Sequence, residues 1–154
     1  MPKKINDPSS DLAFLNRLVS LCPNFTFRAG KKFKFRPQKT IYYIPPEVFE
    51  LETPKDSLET FPLLLCHELA HALLGHFSYS TDLERLKIES AAWEETKNLC
   101  KKFNLPFSEE LAELELNTYR NWLEKKSICK ICGMTRFETK NEGYLCPHCD
   151  LLYN

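Results

Sequence analysis

Hydrophobic and polar positions along the chain change period several times. From Asp11 to Leu21, Leu12, Leu15, Leu18 and Val19 recur at helical spacing, with Ser10 or Asp11 available as N-cap and Pro23 as the stop. The period then falls to two: Phe25-Thr26-Phe27-Arg28 and Phe33-Lys34-Phe35-Arg36 alternate, joined by Ala29-Gly30-Lys31-Lys32. Ile41-Tyr42-Tyr43-Ile44 adds a third strand, ended by Pro45-Pro46. This pattern predicts a small antiparallel sheet. Glu47 to Glu59 is acidic and turn-rich, and reads as a loop or a short helical turn.

Helical periodicity returns from Leu58 to Phe77, with Gly75 near the end, and again from Asp82 to Phe103, where Thr81 or Asp82 can cap. A third stretch runs from Ser108 to Lys126, with Leu111, Leu114, Tyr119, Trp122 and Leu123 as its apolar positions. From Ile128 onward paired cysteines replace the periodic pattern. The expected architecture is α+β: a small sheet, one strongly apolar helix, two further helices and a C-terminal ribbon. The boundary falls between residues 126 and 127, giving units 1–126 and 127–154.

The strongly apolar helix is interrupted by His67-Glu68-Leu69-Ala70-His71, set among Leu63, Leu64, Leu65, Leu69, Leu73 and Leu74. Burying polar groups costs free energy unless they are bonded or ligate a metal. Residues at i and i+4 lie about 40° apart around a helix, so both imidazoles can reach one ion from one face. Two His and one further ligand leave an open zinc position for water, and an adjacent Glu can take that water's proton. His67 and His71 are therefore candidate zinc ligands and Glu68 the candidate general base.

The third ligand must come from elsewhere. His76 lies about 140° around the helix from His71 and could serve only if the helix broke before it. Glu89 is better placed: residues 76–81 allow a turn, and Ala91 and Ala92 permit close approach of the returning helix. Glu94 is the competitor. For stabilising the oxyanion, Tyr79 and His76 are both open candidates.

With those residues in view, His67 to His76 followed by Glu89-Ser90-Ala91-Ala92-Trp93 resembles the ImmA/IrrE family of gluzincin-type zinc metallopeptidases, over roughly Ile41 to Cys100. Trp93 stands where the family usually has Asn. The resemblance implies that His67, His71 and Glu89 bind catalytic zinc, with Glu68 as base. It also implies a zinc metalloendopeptidase with a regulatory protein substrate, such as a DNA-binding repressor. A SprT-like protease acting on DNA-bound proteins shares the order of motif and ribbon but expects a further His. None lies between His76 and His148. A non-catalytic zinc-binding interaction module is the alternative from another class.

Cys129-x-x-Cys132 and Cys146-x-x-Cys149, separated by 13 residues, have the spacing of a closed zinc ribbon site with four thiolate ligands. Two Zn2+ ions, one catalytic and one structural, are thus expected. His148 reads as a neighbour rather than a ligand, and Cys22, Cys66 and Cys100 as small core residues.

Composition changes the picture little. Apolar residues at 43% and charged at 27% suit an ordinary globular chain, and the formal net charge is zero. The start, Met1 to Asp7, has basic residues without an apolar run behind them, and no stretch suggests a membrane span. Paired rather than scattered cysteines suggest a reducing compartment, hence a cytoplasmic protein. Arg28, Lys31, Lys32, Lys34, Arg36 and Lys39 form a basic run without acids. It reads first as a solvated sheet face with Lys at its edge, and second as a phosphate contact. Nucleic acid could meet this run or the ribbon.

Overall fold

The computed structural model describes residues 7–150. The basic N-terminal start and residues 151–154 lie outside the described residues. The fold is α+β. Helix α1 (Pro8–Leu21) leads into strands β1 (Thr26–Ala29), β2 (Lys34–Arg36) and β3 (Thr40–Tyr43). Helices α2 (Pro46–Glu52), α3 (Phe61–Leu73), α4 (Asp82–Phe103) and α5 (Glu109–Ser127) follow, then strands β4 (Phe137–Thr139) and β5 (Gly143–Leu145). No helix among the described residues is long and apolar enough to cross a membrane.

The sheet is mixed, not antiparallel. Its order is β1-β3-β2, with β1 parallel to β3 and β2 antiparallel to it. The hairpin is β2–β3, turned at Lys39, whose φ of 58° is left-handed; the expected β1–β2 hairpin does not form. Burial explains the exchange. Ile41 on β3 is fully buried and takes the centre, whereas β1 and β2 carry Lys and Arg that are hydrated at the sheet's two edges. The inner face presents Phe27, Ile41 and Phe35 in one register row. Together with Phe49 and Phe61 it forms the core against α1 and α3.

Helix ends also differ from expectation in instructive ways. Asp7 caps α1, accepting the Ser9 N–H at 3.0 Å, so Asp11 is a buried acid in the first turn rather than the cap. The acidic segment 47–59 holds a helix, α2, led by Pro46, and five helices stand where three long ones and a leading one were expected. Helix α3 starts at Phe61, next to Pro62, and ends at Leu73 rather than Phe77. Gly75 adopts a φ of 68°, and the His76 N–H returns to the His71 carbonyl at 3.0 Å, closing a Schellman turn. Thr81 caps α4 and Ser108 caps α5 through N–H bonds from Glu84 and Leu111 at 3.1 Å.

A candidate metal centre and its surroundings

Helix α3 is apolar around its circumference because it lies between the sheet and α4. Leu65, Cys66 and Ala70 are fully buried on it, and its polar exceptions point into a cleft of about 600 Å³. His67 and His71 are each 9% exposed. Their Nε2 atoms lie 3.2 Å apart, and Glu89 Oε2, from α4, is 3.4 Å from both. Four donors around an ion at about 2.0–2.1 Å, as for nitrogen and oxygen ligands of zinc, are separated by about 3.3–3.4 Å. The three measured edges match one face of such a tetrahedron, so this group can hold a metal ion. Glu94, by contrast, is solvent-exposed and outside the group.

Electrostatics agree with the geometry. Burial by itself would raise the Glu89 carboxyl, but the His67 and His71 imidazoles against it outweigh burial and hold the group far below the usual carboxylate range. Charge on Glu89 is the state a metal requires.

Each imidazole is held from behind. His67 Nδ1 lies 3.3 Å from Thr96 Oγ1, whose hydroxyl is itself committed to the Ala92 carbonyl at 2.6 Å. With that O–H spent, Thr96 offers a lone pair, which fixes the Nδ1–H tautomer of His67 and frees Nε2. Trp93 stacks on the same ring, centroids 4.2 Å apart and planes 27° apart. Trp93 thus packs flat on a candidate ligand. His71 Nδ1 meets His76 Nδ1 at 3.0 Å. The helix does break before His76, yet His76 arrives on the far side of the His71 ring and stays outside the His67/His71/Glu89 group.

Glu68 points to the sheet. Its Oε2 accepts the Phe35 N–H of β2 at 2.6 Å, and burial raises its pKa, opposed by the two histidines and by that amide. Strand β2 is an edge strand, so Phe35 directs its backbone away from β3 and into the cleft.

Tyr119 was legible in sequence only as an apolar position of α5. Its hydroxyl lies beside the Glu89 carboxylate and Arg85, and its pKa is pushed up to about 12 by burial and then by Glu89. Arg85 in turn lies over the rings of Tyr79, Tyr119 and Trp122 at 5.5, 5.2 and 5.4 Å. Of the two residues expected near the oxyanion, His76 is engaged by His71, and Tyr79 is 50% exposed beneath Arg85.

The four ribbon cysteines form the second group. All four Sγ atoms lie within 4.8 Å of one another, with Cys132 and Cys146 at 3.5 Å. A tetrahedral ion bound by thiolates at about 2.3 Å would space them at about 3.8 Å. Gly133, at φ 74°, makes the knuckle turn, its N–H bonding the Cys129 carbonyl at 2.9 Å. Backbone N–H groups of Cys132 and Ile131 pull the Cys129 thiol down to about 7. His148 lies outside the group, 3.8 Å from Cys149 Sγ. Cys66 and Cys100 are buried in the core and Cys22 is half-buried beside it.

The ribbon touches the helix that carries Glu89. Glu138 accepts the N–H groups of Asp82 and Leu83 at 2.6 and 3.2 Å, and the Tyr144 hydroxyl donates to Asp82 at 2.9 Å. Lys126 completes the joint with an ion pair to Asp82 at 2.6 Å.

Comparison with protein-family models, with characterised proteins and with solved structures finds no match to this chain.

Proposed function

We propose that the protein is a zinc metalloendopeptidase, with His67, His71 and Glu89 holding a catalytic zinc and the four ribbon cysteines a structural one. The observation that carries this reading is the triangle of three donor atoms, 3.2–3.4 Å on a side, with a half-buried carboxylate next in sequence to one donor. Zinc bound there would bring a ligand water to a pKa near 7 and polarise a substrate carbonyl. Glu68 would serve as the base, taking a proton from the attacking water and returning it to the departing amine. Its raised pKa suits a group that must both accept and return a proton. The Phe35 amide holds one of its oxygens and leaves the other free for water.

Tyr119 donates its hydroxyl proton toward the oxygen on which charge develops, as its position beside Glu89 allows. The free edge of β2 offers the Phe35 carbonyl to an extended peptide, so substrate adds as a further strand along the cleft. The resemblance to ImmA/IrrE metallopeptidases supports a regulatory protein, such as a repressor, as substrate in the cytoplasm.

The test is a Glu68→Gln variant loaded with metal. Two zinc ions per chain should remain, while cleavage of a casein or candidate repressor substrate falls by at least about a hundredfold. Unchanged cleavage would remove Glu68 as base. A variant and parent both inert, each with two ions, would favour the interaction-module reading.

A further inference from the structure

Charge is strongly segregated along this chain. Between residues 12 and 46 there are seven Lys or Arg and no Asp or Glu, so the rest carries 14 cations against 21 acids. A neutral molecule therefore contains a segment of charge +7. Six of the seven cations fall between residues 28 and 39, in the sheet and its connections, and the register decides where the three on its strands point. Arg28, Tyr42 and Lys34 form one row across β1, β3 and β2, and Thr26, Thr40 and Arg36 form the next. Paired residues share a face, and the intervening row of Phe27, Ile41 and Phe35 faces the core. Arg28, Lys34 and Arg36 are thus on the outer face, and all three are exposed.

The centre of that face is aromatic. Tyr42 is half-buried on the middle strand, with the Arg36 guanidinium 5.4 Å from its ring centre. Gly30 lets the ring lie against the backbone, since a Cβ there would come within 3.2 Å of it. Lys31 and Lys39 border the sheet in its flanking loop and turn, and the Thr26 and Thr40 hydroxyls lie between the cations.

We propose that this outer sheet face binds single-stranded nucleic acid, phosphates on Arg28, Lys34 and Arg36 and a base joining the Arg36–Tyr42 stack. The chemistry favours this occupant over others. A lipid surface would call for apolar side chains beside the cations, and the two rows contain none besides Tyr42. A duplex is read by an element projecting into a groove, and this face is a flat patch about 10 Å across. Planar Arg and Tyr side chains surrounded by cations match the needs of an unpaired, stacked base on a charged backbone. This inference stands on the sheet alone and does not depend on peptidase activity. Lys32 and Lys34 also line the cleft of the His67/His71/Glu89 group, so a strand held here would run beside it.

Fluorescence anisotropy of the full chain with labelled oligo(dT) of about fifteen nucleotides tests the proposal. Three or four neutralised phosphates give a salt slope of about −2 to −3, so affinity should fall roughly 15- to 60-fold between about 50 and 200 mM salt. Arg28→Gln with Arg36→Gln should weaken binding and flatten that slope by about 1.4. Tyr42→Leu should weaken binding roughly tenfold at unchanged slope. Circular dichroism of both variants separates these effects from unfolding. No binding at about 100 µM protein in low salt would overturn the proposal. So would binding to anionic vesicles in place of the oligonucleotide, or a duplex bound equally well by parent and Tyr42→Leu.

Discussion

The Glu138 carboxylate of the ribbon accepts the backbone N–H of Asp82, the first residue of α4, at 2.6 Å. Glu89 lies two turns further along the same helix. A carboxylate at a helix N-terminus satisfies unbonded N–H groups and complements the helix dipole, together worth about 1 kcal/mol. Glu138→Ala should therefore lower thermal or denaturant stability by about that amount. The same joint links the two groups that could hold metal. Losing the ribbon's metal through Cys132→Ser should weaken the ion at His67, His71 and Glu89 by about fivefold, the equivalent of one such cap. Chelator competition on both proteins measures it. Equal affinities would make the ribbon a passenger.

His76 acts on His71 from behind the metal face. If His71 binds through Nε2, its Nδ1–H needs an acceptor, and His76 supplies one. Removing such a partner usually costs 10- to 100-fold in metal affinity. His76→Phe should show that loss, and His76→Gln should recover part of it through its amide oxygen. Titration with cobalt(II), followed by its visible spectrum, distinguishes a changed ligand field from a merely loosened turn.

Tyr119→Phe keeps the ring against Arg85 and removes the hydroxyl. On the proposed mechanism kcat should fall by about 100-fold or more with KM nearly unchanged, because the lost bond belongs to the transition state. Two zinc ions should remain. A drop confined to KM would assign Tyr119 to substrate binding.

Asp11 gives the clearest dependence on pH. Burial, then Asp7 and Glu50, raise its carboxyl to about 6. A folded-state pKa above the unfolded one stabilises the fold at low pH, and that contribution is lost as pH rises from about 4 through 6. Asp11→Asn removes the titration. It should stabilise the protein by about 1–2 kcal/mol at pH 8, less than the roughly 3 kcal/mol a two-unit shift converts to, since the carboxylate tip keeps some water. At pH 3.5 the two proteins should have nearly equal stability, as urea melts at both pH values would show.

The sequence is informative wherever one helix or one knuckle contains the whole signal. Period, caps and turn residues define α4 and α5, and the two Cys-x-x-Cys pairs identify the ribbon cysteines that come together. It is weaker wherever distant segments compete. Strand β3 displaces the expected hairpin partner because Ile41 gains more from a central place than Arg28 or Lys34 could. His76 follows from the φ of Gly75: a helix stopped by a Schellman turn reverses its chain, which the 140° rotation of a continued helix does not anticipate. Tyr119 shares the helical period of its core neighbours on α5, and only the antiparallel approach of α4 sets its hydroxyl on Glu89.

The stack of Trp93 on His67 also equips the molecule with an optical readout. The chain has two tryptophans. Trp93 is buried against an imidazole whose ligation would change its ability to quench, and Trp122 sits under Lys126, 4.8 Å from its ring centre, beside the ribbon joint. With each tryptophan replaced in turn by Phe, the remaining emission reports on one neighbourhood, so the filling of the two groups can be followed separately in unlabelled protein.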